Sequence, residues 1–378
     1  MQSIPTFSMC GTCYRELEAR REYRDDDTVW ITKECPVHGK QEAMAEKSAT
    51  FWKTVLAFNT LKGEHTFTRR TYNQMSMIEV TDRCNVMCKH CYHMPDNKTQ
   101  DRSAEWIVAK ALAVHTPIVC LMGAEPTMRD DLPEIARAIR AGGKVPTMYT
   151  NGIRLRERDY VRRLREGGLH ATSVSIHHPE YHTDKVFGWV TEGLRNALQE
   201  GMTLGQISFT CEKQENVATA VQTIIRLWRL GVAPMDYCIR SPARIGWDFE
   251  QEREIFASEL YEWIRLEAHR LGLPTRLIRE HGSNPYHVGM SIGIANLQVI
   301  HWADVHSIDL SYMDMGPWAR WIDGTTGTFL VQAIQREGIK KGWFLGQRLV
   351  PADTERATFY ERPHLVKGND EQKEAVNA

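Results

Sequence analysis

The chain has almost no net charge: 47 Lys and Arg against 48 Asp and Glu leave −1 over 378 residues. It therefore lacks the basic excess or stripe expected of a nucleic-acid or anionic-membrane partner. No run approaches the ~18 uninterrupted apolar residues of a membrane span, so none is expected. The opening Met1-Gln-Ser-Ile-Pro lacks a basic segment followed by an apolar run, so no secretory signal is expected either. Residues 239–378 contain no cysteine, which excludes a cysteine-ligated metal cluster from that tail.

The composition is that of a packed globular chain, with 42% apolar and 25% charged residues. Its nine cysteines are unevenly placed. Cys10, Cys13 and Cys35 lie near the N-terminus, Cys84, Cys88 and Cys91 lie together, and Cys120, Cys211 and Cys238 are isolated. Tight cysteine groups without an export signal read as metal ligands rather than disulfides, and imply a reducing, cytoplasmic setting.

Residues 1–70 read as polar and irregular. From Met75 the pattern changes to short apolar runs alternating with amphipathic stretches of helical length. Strands are expected at Met75–Val80, Ile118–Met122, Val145–Tyr149, Ala171–Ile176, Gln206–Phe209 and Met235–Ile239. Helices are expected at Ala104–Val114, Leu132–Ala141, Glu157–Glu166, Lys185–Gln199, Ala218–Leu230 and about Glu250–Leu271. Six such β/α units predict an α/β fold with a parallel sheet and helical crossovers. Three regions follow: a metal knuckle in 1–70, the β/α region in 71–271, and a mixed α+β extension in 272–378. The extension is expected to hold one or two strands within His287–Leu310 and a helix at Phe329–Lys340. Trp302, Met313, Met315, Trp318 and Trp321 there read as plain core or as an apolar lid.

The central motif is Thr81-Asp-Arg-Cys84-Asn-Val-Met-Cys88-Lys-His-Cys91-Tyr92, a C-x3-C-x2-C spacing just after the first β/α strand. A loop this short lets three thiolates converge on one iron–sulfur cubane. Three thiolates for four irons leave one iron open, which suits binding a ligand rather than storing an electron. Zinc sites more often pair two C-x2-C knuckles. The motif resembles that of the radical S-adenosylmethionine (SAM) superfamily, with His90 at its aromatic position. The resemblance implies a partial (β/α)6 barrel and a [4Fe-4S] cluster on Cys84, Cys88 and Cys91. It also implies that SAM chelates the open iron and is cleaved to a 5′-deoxyadenosyl radical that abstracts hydrogen from a substrate.

The same resemblance extends to other strand ends, where sites of β/α folds gather. Gly123-Ala124-Glu125-Pro126 is similar to the family's Gly-Gly-Glu-Pro segment, which contacts the SAM amino group. Here Ala124 replaces the second glycine, which matters only if that position needs positive φ. Asn151, in Thr150-Asn151-Gly152, reads either as a SAM contact or as an ordinary turn. Ser175 and His177 read as ribose or carboxylate contacts, or as a cap and a solvated histidine. Arg240 reads as a partner for the SAM carboxylate or as a surface ion-pair member. Cys120, Cys211 and Cys238 read as small buried residues, with a hydrogen-donor or cluster-ligand role as the sharper alternative.

Cys10-x2-Cys13 and Cys35-x2-His38 form two knuckles with tetrahedral zinc spacing, His favouring zinc over a rubredoxin-like iron site. So polar a region has little core of its own, so its metal is expected to supply folding energy and the region to serve as a docking module. A Cys-Pro-x-His-Gly knuckle before such a barrel resembles the group around archaeal tetraether lipid synthases. That group's later cysteines are missing here.

The leading reading is thus a radical SAM enzyme acting on a small-molecule, lipid or peptide substrate. It would draw electrons from a low-potential flavodoxin or ferredoxin. The alternatives are a radical SAM methylase or carbon–carbon coupling enzyme, and a non-enzymatic iron–sulfur/zinc electron carrier or scaffold.

Overall fold

A computed structural model of the chain describes residues 2–12, 16–59, 75–88, 91, 95–176, 184–242, 254–278, 285–303, 306–309 and 319–321. The N-terminal part is a four-stranded antiparallel sheet in sequential order, not an irregular segment. Its strands are β1 (Gln2–Met9), β2 (Glu16–Tyr23), β3 (Val29–Cys35) and β4 (Gly39–Glu46). In β2, Leu17, Ala19, Arg21 and Tyr23 are buried while Glu18 and Arg20 face solvent, the period of two that a half-buried strand requires. The buried member Arg21 is a cation, so the alternation does not show as hydrophobicity. Helix α1 (Ala49–Asn59) follows. The Asp27 carboxylate accepts from the Thr50 N–H and hydroxyl at its first turn, an N-terminal cap supplied from the β2–β3 turn.

The second sheet has ten strands. Six are parallel: β5 (Met75–Thr81), β6 (Ile118–Gly123), β7 (Val145–Thr150), β8 (Ala171–Ser175), β9 (Thr203–Thr210) and β10 (Asp236–Arg240). They alternate with α2 (Ala104–Ala113), α3 (Leu132–Ala141), α4 (Arg158–Glu166), α5 (Asp184–Gln199), α6 (Gln214–Arg229) and α7 (Ala257–Arg270). The extension adds β11 (Arg276–Ile278), β12 (His287–Ser291) and β13 (Asn296–Ile300) beyond β10, and β14 (Ala319–Trp321) beyond β5. Strand β13 runs parallel to β10 and β12 antiparallel to β13. The expected helix at Phe329–Lys340, with Met313, Met315 and Trp318, lies outside the described residues.

Helices cover one face of this sheet. Ile78, Val80, Val119, Leu121, Met148 and Val174 pack there against helix residues such as Ile107, Leu132, Ile135 and Leu164 in one continuous core. The alternate residues face away from the helices. Met75, Met77, Cys120, Met122 and Tyr149 form a separate apolar cluster on that inner face. Across β8, β9, β10 and β13 the same face turns polar, with Ser175, Ser208, Cys238 and Gln298 in one register row.

The N-terminal sheet does not stand alone. Its Met9, Tyr23, Val29 and Ile31, with Trp52 of α1, share a core with Tyr286, Trp302, Ala303 and Ile308 of the extension. Trp52 meets Tyr286 edge to face at 5.2 Å. Trp302 is therefore core beneath the ribbon and not part of an apolar lid.

Candidate active site

The cysteine loop leaves β5 and is zipped to the loop leaving β6. The Ala124 N–H donates to Thr81 O and the Glu125 N–H to Arg83 O, each at 3.0 Å. Gly123 makes this approach possible. Its φ is +131°, and a Cβ there would lie 2.2 Å from Thr81 O. The positive φ falls on Gly123, while Ala124 is not among the positive-φ residues. The alanine in place of the family's second glycine thus needs no unusual backbone.

The start of the cysteine loop is pinned by side chains. Arg83 forms a two-pronged pair with Asp101, Nη2 to Oδ2 at 2.5 Å and Nε to Oδ1 at 3.3 Å. The Cys84 N–H donates to Asn97 Oδ1 at 2.9 Å, and the Val86 N–H points at Cys84 Sγ at 3.4 Å. The Cys91 N–H donates to Cys88 O at 3.0 Å, closing a tight turn between the second and third thiols. Burial pushes the Cys84 thiol up to about 12, with Glu125 and Cys91 adding to the shift. Cys88 is raised by burial too, then by Cys91 and Cys84. Cys84 is buried and Cys88 and Cys91 are half-buried, and the neighbouring sulfurs raise the cost of ionising Cys84 and Cys88, so a cationic core is needed to hold the set as thiolates. A cubane of iron ions supplies that charge, so the donor set fits an iron–sulfur cluster. His90 and His177 lie outside the described residues.

Glu125 is anchored in the turn it begins. Its Oε1 accepts from the Thr127 N–H (3.0 Å), the Thr127 hydroxyl (2.6 Å) and the Thr150 hydroxyl (2.6 Å), and its Oε2 accepts from the Asn151 N–H (2.7 Å). Pro126 opens the following 3-10 turn, Pro126–Met128. Burial raises the Glu125 carboxyl above its ordinary range against the pull of these four donors. An acceptor position remains on Oε2 for a ligand ammonium. Asn151 bridges back to the cysteine loop, its Nδ2 donating to Asn85 Oδ1 at 2.7 Å. Cysteine loop, Glu125 turn and Asn151 turn thus form one hydrogen-bonded unit at the ends of β5, β6 and β7. Sequence reading missed Asn85, Asn97, Thr127 and Thr150. Thr127 and Thr150 stand beside motif residues, which was the available signal, whereas the roles of Asn85 and Asn97 had none.

Further along the strand ends, Ser175 Oγ and Ser208 Oγ lie 3.1 Å apart. Arg240 Nε donates to Thr210 Oγ1 at 3.2 Å, and its guanidinium lies 5.5 Å from the Trp302 ring centroid. Among the described residues Arg240 has no carboxylate partner, so its remaining donors are open to a ligand. Below them Gln206 Nε2 donates to Gln298 Oε1 at 3.1 Å. Cys120 and Cys238 sit on this inner face, whereas Cys211 belongs to the helix-side core.

A second constellation lies in the N-terminal sheet. Donor atoms of Cys10, Cys35 and His38 all lie within 4.8 Å of one another, and His38 Nδ1 is 3.5 Å from each sulfur. Cys13 lies outside the described residues. Gln41 donates from Nε2 to Cys10 Sγ (3.3 Å) and accepts the Gly11 N–H at Oε1 (3.0 Å). Burial works against ionising Cys35, but the Val37 and His38 N–H groups outweigh it and lower the thiol. A thiolate-favouring cradle with an imidazole suits tetrahedral zinc.

Comparison with known proteins finds a family model over each of the two regions. Residues 78–208 match the model of the radical SAM superfamily, and residues 5–47 match the HMPTM N-terminal zinc ribbon domain. The chain is 28% identical over 225 residues to Fe-coproporphyrin III synthase of Methanosarcina barkeri, covering 55% of this chain and 56% of that protein. It is 28% identical over 188 residues to 7,8-dihydro-6-hydroxymethylpterin dimethyltransferase of Methanocaldococcus jannaschii, covering 43% and 37%. The chain thus spans about half or less of these relatives' lengths. Similar solved structures include SuiB of Streptococcus suis bound to S-adenosylmethionine, with a TM-score of 0.42 and 14% identity over 53% of this chain and 48% of that one. The hydrogenase maturase HydG of Carboxydothermus hydrogenoformans has a TM-score of 0.43 and 16% identity over 57% and 54%. Among the described residues no helix is long and apolar enough to cross a membrane.

Proposed function

We propose that this chain, which carries a radical SAM domain behind an N-terminal zinc ribbon, cleaves SAM reductively and uses the product radical to take hydrogen from a small molecule held on the inner face of the sheet. The carrying observation is the hydrogen-bonded unit joining the Cys84–Cys91 loop to the Gly123–Glu125 and Asn151 turns. A [4Fe-4S] cluster held by Cys84, Cys88 and Cys91 would supply the electron. Gly123 lets the two loops close. Glu125 holds both turns and offers one acceptor position to the SAM ammonium. Arg240 presents its unpaired donors to the SAM carboxylate, with Ser175 beside the ribose. His90, Ala124, Pro126 and His177 complete the proposed contacts. Residues 1–70, 71–271 and 272–378 serve as ribbon, barrel and substrate-side region.

The inner face suits a molecule with one apolar face and one hydrogen-bonding edge. Met75, Met77, Cys120, Met122 and Tyr149 offer a soft, sulfur-rich wall, while Gln206, Gln298, Ser175 and Ser208 offer donors and acceptors. A heterocycle fits this better than a lipid chain. A flavodoxin or ferredoxin in the cytoplasm is the proposed electron source.

The test is anaerobic reconstitution, reduction and addition of SAM. The wild type should release 5′-deoxyadenosine well above a variant carrying Cys84→Ala, Cys88→Ala and Cys91→Ala, and equal release would sink the proposal. A second reading, radical methylation, draws support from the likeness of both ribbon and barrel to pterin dimethyltransferase-type proteins. It would show as S-adenosylhomocysteine formed beside 5′-deoxyadenosine.

A further inference from the structure

The ribbon's inner face, which the sequence suggests should await an outside partner, is filled by this chain's own extension. The Ser8 hydroxyl donates to Ile308 O at 2.6 Å, and the Thr6 hydroxyl donates to Asp309 Oδ1. Arg21 Nη1 pairs with Asp309 Oδ2 at 2.8 Å, with both side chains buried. Lys33 Nζ donates to Ser8 Oγ at 3.0 Å and to His306 O at 2.5 Å. The His306 ring occupies the space that a Cβ on Gly11 would fill, directly against the metal knuckle.

The same segment is tied to the barrel on its other side. The Asp309 N–H donates to Tyr286 Oη at 3.0 Å. Ser307 Oγ donates to the Glu254 carboxylate at 2.9 Å, which also accepts from His301 Nε2 at 2.7 Å. The next residue, Trp302, donates its N–H to Ser241 Oγ at 2.8 Å, and the Ser241 N–H donates to Ile300 O at 2.9 Å. Trp302 then presents its ring to Arg240. An unbroken line of contacts therefore runs from the knuckle to the mouth of the barrel.

We propose that the N-terminal ribbon is a clasp that seats residues 300–303 and 306–309 beside β10 and, through Trp302, positions Arg240. Removing Arg21 would leave the Asp309 carboxylate buried without its cation, so the pair fixes where the segment lies. The clasp stands on its own contacts, while its effect on SAM rests on the proposed role of Arg240.

The experiment uses the full chain, reconstituted with zinc and cluster. It reads zinc content, backbone hydrogen exchange and the SAM dissociation constant. Arg21→Met should keep its zinc, exchange faster at residues 299–303 and 306–309, and bind SAM about tenfold more weakly, the scale of one misplaced charged contact. Lys33→Met, which removes two other contacts, serves if Arg21→Met does not fold. Trp302→Ala should weaken SAM binding with zinc and cluster retained, and Trp302→Phe should restore most of it. Unchanged exchange in Arg21→Met and Lys33→Met overturns the clasp. Unchanged SAM affinity in Trp302→Ala, where Arg240→Met weakens it, overturns the positioning of Arg240. If Arg240→Met binds SAM like the wild type, the SAM role of Arg240 falls instead, and exchange at 306–309 still decides the clasp.

Discussion

Gly123→Ala is expected to lower SAM affinity by about 100-fold or more, corresponding to roughly 3 kcal/mol. Two costs combine. The residue sits at a φ of +131°, and holding a non-glycine residue in such a region costs on the order of 1–3 kcal/mol. Its new Cβ would also lie 2.2 Å from Thr81 O. That oxygen belongs to the backbone of β5, so no side-chain rotation relieves the overlap. The strand ends must part, and the two N–H to O bonds joining the cysteine loop to the Glu125 turn stretch with them. Isothermal titration with SAM on the reconstituted protein checks this. An affinity within about threefold of wild type, a change of under 1 kcal/mol, would show that the two loops do not depend on their close approach.

Glu125 carries the second large effect. Its oxygens accept from four donors, two of them backbone N–H groups. Glu125→Ala leaves the Thr127 and Asn151 N–H groups without an acceptor in a buried turn, at about 1–3 kcal/mol each. A loss of roughly 3 kcal/mol or more in unfolding free energy is expected. Glu125→Gln is the sharper probe. If its Oε1 keeps the three donors, its Nε2 must face the Asn151 N–H, donor against donor. A smaller loss of about 1–2 kcal/mol is therefore expected, together with weakened SAM binding. Anaerobic denaturant titration of the three proteins would detect both steps, and a Gln variant as stable as wild type would contradict the hydrogen-bond assignment.

Much of the barrel is legible in the sequence because its signals are local. Each strand from β5 to β10 is a short apolar run followed by a helix with an apolar stripe, and the six units follow that alternation, although α7 starts at Ala257 and not near Glu250. Helix α6 begins four residues earlier than expected because Gln214-Glu-Asn216 carries no apolar period. The ribbon was opaque for a physical reason. Buried positions on its strands include Arg21 and Lys33, whose polarity is satisfied by a segment far along the chain, 288 residues from Arg21 in the case of Asp309. No window of sequence shows that pairing, so the strands read as polar and irregular, and the shared core with Tyr286 and Trp302 was invisible. The short edge strand β14 is likewise set by pairing with β5 and not by any period of its own.

The site divides in the same way. The C-x3-C-x2-C spacing announces its chemistry because three ligands on one loop need no tertiary information. The Glu125 turn is recognisable as a motif, but its role is not. The four donors that Glu125 accepts, from its own turn and from the end of β7, show only in the structure. Asn85 and Asn97 emerge only when the loops are brought together.

The central claim is that Cys84, Cys88 and Cys91 hold a cluster whose open iron takes SAM. Electron paramagnetic resonance of the reduced, anaerobically reconstituted protein tests it most directly. The account predicts the signal of a reduced [4Fe-4S] cluster that changes when SAM is added and is absent when the three cysteines are replaced by alanine. A spectrum unaltered by SAM, or a cluster signal that survives the triple replacement, would contradict it.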